Sequence, residues 1–373
     1  MTRLPPAPAR QDRADASREQ ARLAFLAAQG LADARIRPLA ADASFRRYFR
    51  VTGQRKDGTL VLMDAPPPME DVRPFLAVDQ LLRDWGLHAP AVLAADIAQG
   101  FVLLEDLGDA LFTRLLRQQD RQRERSLYQA AVDVLVAVAE RSFEGLPSML
   151  PIPGAKGEER HGLSPYERDP LWTELALFPE WYLPLLGRPA DASALAAFRD
   201  LWEPLIAEIG TCCTVLTLRD YHADNLVWIA DAGGLKRVGL LDFQDALRGH
   251  PAYDLVSLLQ DARRDVPPAI EEALRTRFLV MLQERGLWPA GHAGRELFER
   301  HYALLGAQRA TKIIGIFARL WRRDAKRRYL SMIPRVWNLL ERNLTAAGLD
   351  DLAAWYDHLV PRNLRLEVPE AKG

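Results

Sequence analysis

The segment Leu218-Arg219-Asp220-Tyr221-His222-Ala223-Asp224-Asn225 gathers two carboxylates and an amide in one short stretch, and Asp242-Phe243-Gln244 lies just downstream. Between them, Leu226 to Ile229 and Val238 to Leu241 are apolar runs of strand character. Gly233-Gly234 between the runs is a favoured two-residue hairpin turn. That register sets Asp231 opposite Lys236, Ile229 opposite Val238 and Asn225 opposite Asp242, with opposed residues ~5 Å apart. The open end of the hairpin then holds an amide and a carboxylate side by side, with Asp220 upstream in the loop. Magnesium takes hard oxygen ligands, one or two from the protein and the rest from phosphates and water. Asn225 and Asp242 offer such oxygens. Asp220, too far along the loop to share the ion, is placed to accept the proton of an attacking hydroxyl. The set suits phosphoryl transfer, whose transition state needs positioning and charge neutralisation more than covalent help. Asp and Asn also cap turns; the spacing, the hairpin and the Asp-Phe pair together favour catalysis over capping.

The elements that must position these groups fall into two regions. A tail over 1–20 is rich in Pro, Ala and Arg and is expected to be flexible; Arg18 to Gly30 reads as a short helix closed by glycine. Strand-like runs follow at Phe45 to Val51, Thr59 to Ala65, Ala91 to Asp96 and Phe101 to Leu104, with a helix around Val72 to Trp85 inserted among them. Beyond Asp109 long amphipathic stretches dominate: Arg121 to Glu140, Ala192 to Ile209, Leu255 to Arg264, Ala269 to Gly286, Arg295 to Trp321 and Arg327 to Ala347. The expected class is α+β, with a small β-rich lobe at 21–108, a larger α-helical lobe at 109–373 and a cleft between them.

Composition narrows the partners. The 373 residues carry 49 Lys and Arg against 50 Asp and Glu, a balance that favours neither nucleic acid nor an anionic membrane surface. The tail lacks the apolar core of a signal peptide. The longest apolar run, near Ala130 to Ala139, is too short to span a bilayer. Cys212 and Cys213 are adjacent and without other partners, so free thiols and a reducing cytoplasm are expected. His222, His250 and His301 show no zinc-ligand spacing.

Asp220-x-x-x-x-Asn225 followed by Asp242-Phe243 resembles the catalytic and metal-binding segments of the protein-kinase-like bilobal fold, in its aminoglycoside phosphotransferase and choline-kinase branch. Residues 220–226, 239–246 and 253–259 are similar to one bacterial group in that branch. These are the cell-wall amino-sugar kinases, which phosphorylate the anomeric hydroxyl of N-acetylmuramic acid and N-acetylglucosamine. The likeness extends to 44–50, 62–66, 103–108 and 312–320, nearly the whole chain after the tail. It implies ATP and magnesium as cofactors, Asp220 as base, and Asn225 and Asp242 as metal ligands. It also implies Glu105 to Leu107 as the hinge against the adenine, and a loop around Asp42 to Phe45, with Ser44 and Arg46, over the phosphates. Asp254, at the start of a helix, reads as a structural carboxylate bonding backbone amides.

Three positions depart from the family pattern. Leu218 stands where many relatives have His, Gln244 follows Asp242-Phe243 in place of a small residue, and the strand Leu60 to Asp64 lacks the phosphate-binding Lys. Arg46, Arg47 and Arg50 are the candidate replacements. For the sugar, Glu174, Phe178 and Trp181 share one helical face. Aromatic faces stack on sugar C–H surfaces, yet the same stripe also suits a core. A carboxylate on it is harder to place in a core. His222 and Asp224 in the catalytic loop complete the expected substrate contacts. The basic helix with Arg309, Lys312, Arg319, Arg322 and Arg323 reads as a solvated face, with Arg309 or Lys312 near the lactyl carboxylate of muramic acid as the second reading. Kinases of the same fold acting on an aminoglycoside, choline or homoserine, and an inactive nucleotide or sugar sensor, are the competing readings.

Overall fold

The computed structural model describes residues 8–39, 45–53 and 58–366, and the chain divides into two units. The first comprises 1–83, 89–109 and 150–161; the second comprises 84–88, 110–149 and 162–373.

In the first unit α1 (Pro8–Ala28) precedes β1 (Arg35–Pro38), β2 (Arg47–Thr52) and β3 (Thr59–Asp64); then come α2 (Arg73–Asp84), β4 (Val92–Asp96) and β5 (Phe101–Glu105). The strands form one antiparallel sheet in the order β1-β2-β3-β5-β4. Strand alternation sends Leu60 and Leu62 of β3, and Phe101 and Leu103 of β5, to one face. There they pack with Val51 and with Phe25, Leu26 and Leu31 in and after α1. Each such side chain contributes roughly 1.5–3 kcal/mol on burial. The helix begins at Pro8 rather than Arg18, so residues 8–20 of the expected tail are helical. Its last turns are anchored: Arg18 and Arg22, one turn apart, both reach the fully buried Asp64.

The second unit runs α3 (Phe112–Leu116), α4 (Arg121–Gly145), α5 (Arg168–Leu175), a π-helical turn (Phe178–Tyr182) and α6 (Ala192–Gly210). Four short strands follow: β6 (Val215–Thr217), β7 (Leu226–Trp228), β8 (Val238–Leu240) and β9 (Leu247–Gly249). Then come α7 (Tyr253–Leu259), α8 (Pro268–Glu284), α9 (Gly291–Asp324), α10 (Ile333–Ala346) and α11 (Asp350–Leu359). Asp120 starts α4, its carboxylate accepting from the amides of Gln122 and Arg123 at 3.0 Å each. Pro334 in the first turn of α10 explains why the expected helix from Arg327 divides into a 3₁₀ turn and a helix.

The spine is α9, in which residues 301–315 are all buried. A helix covered all round lies inside the protein. Gly315 permits this: a Cβ there would sit 2.4 Å from the carbonyl carbon of Leu177 beside the π-helical turn. The solvated basic face expected for this helix is therefore corrected. Arg309 and Lys312 are buried, Arg319 is half-buried, and Arg322 and Arg323 at its end are exposed.

Candidate active site

After β6 the chain leaves the sheet through Arg219, whose φ of +69° is left-handed. Asp254, buried in the first turn of α7, accepts hydrogen bonds from the amides of Leu218 at 2.6 Å and Arg219 at 2.9 Å. It thus fixes the backbone that His fixes in many kinases. Burial pushes its carboxyl up to about 7, against the downward pull of those two amides and of Arg309. The loop then turns through Asp220, and Asn225 Nδ2 donates to the Asp220 carbonyl oxygen at 3.0 Å.

The hairpin register differs from expectation by one residue. Trp228 pairs with Val238 and Leu226 with Leu240, and the Leu241 amide donates to Asn225 O at 3.0 Å. Asn225 therefore faces Leu241, not Asp242. The reason is the turn. Gly233 has φ −110°, whereas a two-residue hairpin turn needs positive φ at its first position. Residues Gly234–Arg237 instead make a 3₁₀ turn, closed by the Ile229 amide on Arg237 O at 2.9 Å. A one-residue slip normally sends a side chain to the opposite face. Asp242 escapes this because its own φ of +58° breaks the alternation. Its carboxylate returns to Asn225, with Nδ2 to Oδ2 at 3.4 Å.

The donor set fits a hard divalent cation. The Asn225 amide nitrogen is engaged with the loop and with Asp242, so the Asn225 side-chain oxygen and the Asp242 carboxylate are the groups that would hold such a cation. Gln244 Nε2 donates to Asp242 Oδ1 at 3.0 Å and orients that carboxylate, giving the unusual Gln a defined place.

Several expected substrate contacts sit otherwise. Phe178 has no exposed surface and packs against Tyr182, Trp337, Trp355 and Tyr356, so it is core rather than a sugar platform. The π-helical turn breaks the helical face it was to share with Trp181, which is half-buried. Glu174 is buried but paired. It accepts from Arg219 at 2.5 Å, Lys312 at 2.6 Å, Gln308 at 3.0 Å and the Tyr166 hydroxyl. Burial would raise its pKa, yet Lys312 and Arg219 pull it down to about 2. Asp224 accepts from Thr113 and meets Arg263 at 3.3 Å. His222 is buried with Nδ1 unpartnered among the described residues. Burial, then Arg263 and Arg309, hold its pKa well below the usual imidazole range and keep it neutral.

In the first unit, the Phe45 ring is exposed and its amide donates to Glu70 at 3.1 Å. Arg46 meets Glu70 at 3.4 Å and Arg47 meets Asp64 at 3.3 Å. Arg50 grips Asp106 through two bonds, 2.6 and 3.0 Å, and Asp109 at 2.7 Å. Each candidate replacement for the missing Lys therefore has a carboxylate partner. Glu105 exchanges hydrogen bonds with Ala91, and Leu107 is half-buried. Asp42 and Ser44 lie outside the described residues.

One cluster had no signature in sequence spacing. Ligand atoms of Cys212, His250 and His301 lie within 4.8 Å of one another. The Ala252 amide donates to His250 Nδ1 at 3.0 Å, so the His250 proton sits on Nε2 and points at His301 Nδ1, 2.9 Å away. His301 then carries its proton on Nε2, 3.5 Å from Glu208. The lone pairs a metal needs are already used, and the cluster is a neutral hydrogen-bonded relay.

A sheet unit followed by a helical unit bearing this loop and hairpin defines a kinase-like phosphotransferase. The profile of the phosphotransferase enzyme family matches residues 35–293, and the chain belongs to that family. It is 38% identical to an N-acetylmuramate/N-acetylglucosamine kinase of Caulobacter vibrioides, over 93% of this chain and 98% of that protein. A Pseudomonas aeruginosa kinase of the same name is 37% identical over 83% of each chain. The choline kinase of Cryptosporidium parvum superposes with a TM-score of 0.54 at 13% identity, covering 86% of this chain and 93% of that one, and shows the fold. Among the described residues no helix is long and apolar enough to cross a membrane.

Proposed function

We propose that the protein transfers the γ-phosphoryl group of ATP to the anomeric hydroxyl of N-acetylmuramic acid and N-acetylglucosamine, with Asp220 as proton acceptor and Asn225 and Asp242 as magnesium ligands. The observation that carries the chemistry is the convergence of Asn225 on both the Asp220 carbonyl, at 3.0 Å, and the Asp242 carboxylate, at 3.4 Å. The near-full-length similarity to kinases named for these sugars supports the acceptor. When bound, magnesium neutralises charge on the phosphates. Asp220 receives the hydroxyl proton as the oxygen–phosphorus bond forms and the bond to ADP breaks. An anomeric hydroxyl is more acidic than an ordinary alcohol, so one carboxylate suffices as its base. Phe45, Arg46, Glu105 and Leu107, with Ser44, are assigned to the nucleotide. Trp181 and His222, whose Nδ1 has no partner among the described residues, are assigned to the sugar, and Asp224 to orienting the loop through Thr113.

Mg-ATP with either sugar should release ADP and eliminate reducing sugar in equal amounts. The 1-O-methyl glycoside keeps every other hydroxyl and should release no ADP above background. Phosphorylation of the methyl glycoside at the rate of the free sugar would overturn the anomeric assignment and leave a kinase of another hydroxyl.

A further inference from the structure

Arg219, immediately before Asp220, holds a backbone conformation that long L side chains rarely adopt. Such a position costs on the order of 1–3 kcal/mol and persists only where its surroundings over-determine it. Its amide is held by Asp254, and its carbonyl accepts from Arg309 at 3.1 Å and Ser257 at 3.4 Å. Its side chain is held separately. Nη2 donates to Glu174 Oε1 at 2.5 Å, and the guanidinium lies 5.5 Å from the centre of the Tyr166 ring.

Glu174 has no bonding capacity left over. An ionised carboxylate offers about four lone-pair positions. Arg219 and Lys312 occupy Oε1; Tyr166 and Gln308 occupy Oε2. A sugar hydroxyl finds no acceptor there. Replacing the carboxylate by an amide leaves buried Lys312 and half-buried Arg219 without their shared counter-ion, and the Arg219 side chain loses its charged tether. The sequence reading held a carboxylate on this face hard to place in a core and gave it to the sugar; Glu174 is buried, and its charged partners are cations of the protein itself.

We infer that Glu174 is a positioning residue for phosphoryl transfer: it fixes the residue before the base through its ion pair with Arg219, and Lys312 acts one step removed by fixing Glu174. The inference rests on Asp220 being the proton acceptor proposed above.

The test uses Glu174→Gln, Lys312→Met and their combination in the full chain, with kcat per folded molecule, KM and calorimetric sugar binding measured together. Loss of positioning should lower kcat about 10²-fold in Glu174→Gln and about tenfold in Lys312→Met. Sugar KM and Kd should stay within about twofold of the parent. The double variant should be no slower than Glu174→Gln alone, because Lys312 works only through Glu174. Should Glu174→Gln not fold, Lys312→Met and Arg219→Lys carry the same comparison, the latter keeping the charge while losing the planar fork. A tenfold rise in sugar KM and Kd with kcat intact would overturn the inference and make Glu174 a sugar contact. Unchanged kcat in every folded variant would overturn it as well. A parent that turns over a different hydroxyl acceptor defeats the substrate reading alone, and the comparison is then read on that acceptor. A parent with no turnover on any acceptor defeats both.

Discussion

Asp64 in the sheet unit and Glu174 in the helical unit are both buried carboxylates ringed by cations, and they hold different things. Asp64 joins one regular element to another: Arg18 and Arg22 of α1 and Arg47 of β2 meet at the end of β3. Arg18 also lies 3.9 Å over the Phe101 ring, and Arg22 lies 4.1 Å over Phe49. Glu174 joins two regular elements, α5 and α9, to a residue in a strained loop. Buried ion pairs often contribute little net stability compared with apolar groups of the same shape, but losing one partner is costly. What they hold decides what is lost. Removing a partner of Asp64 should loosen a scaffold, whereas removing a partner of Glu174 should disturb the placement of Asp220.

The proposed base, Asp220, sets the upper limit against which any positioning effect is judged. Asp220→Asn keeps the side-chain shape and removes the proton acceptor, so turnover should fall by at least ~10²-fold with nucleotide affinity little changed. Asp242→Ala removes the charged one of the two proposed metal ligands and should abolish turnover while weakening magnesium-dependent ATP binding. Near-normal turnover in the first variant, or Mg-ATP binding as tight as the parent's in the second, would remove the site from which the comparison is drawn.

The other arm is Arg18→Met. It should lower unfolding free energy by about 2 kcal/mol, less than the ~3–5 of a fully orphaned buried charge, because Asp64 keeps Arg22 and Arg47. The kcat of the folded fraction should not change. A drop in kcat at full folding would show that the sheet carboxylate also tunes the reaction, and the contrast would collapse.

A smaller effect separates charged hubs from neutral ones. Burial, then His301, holds His250 well below the ordinary imidazole pKa. The unfolded chain therefore binds the proton first as pH falls through ~6.5, and the stability contributed by the neutral pair is lost on the acid side. At pH 5.5 one such histidine costs about 1.4 kcal/mol. Glu174, at about 2, stays ionised there. Asp254, its carboxyl raised to about 7, contributes in the opposite direction over the same range, so the His250 contribution is read as the difference in slope between the parent and His250→Gln in chemical denaturation at pH 7.5 and 5.5. An unaltered slope would contradict the assigned proton positions.

Much of the site was legible because its signals are local. Asp220, Asn225 and Asp242 are close in sequence, and the apolar runs around them are short strands, as expected. The turn was misread because a Gly-Gly pair fits many turn types, and only φ at Gly233 distinguishes them. The partners of Glu174 were illegible for a different reason. Lys312, like its neighbour Arg309, is set among apolar residues as it would be on a solvated face, and only packing shows both enclosed. Gly306 and Gly315 were the available hint, since glycine inside a helix often marks a close neighbour; a Cβ on Gly306 would lie 2.4 Å from the Asn343 amide nitrogen. Phe178 likewise fits a pocket or a core until the π-helical turn reorients its neighbours.

The left-handed backbone at Arg219 also bears on the order in which the molecule becomes competent. That conformation has one local hydrogen bond, from the Asp220 amide to the Leu218 carbonyl oxygen at 2.9 Å, and the rest of its support is distant. It depends on Asp254, 35 residues later in the chain, and on Glu174, 45 residues earlier. Contacts of such span close late, because the chain entropy of the loops they complete is lost before the contacts form. Helical signal should therefore return first during refolding from denaturant, and phosphoryl transfer only after these distant carboxylates have docked. A chain in which these distant carboxylates have not docked is expected to hold Asp220 out of place and so to turn over little ATP.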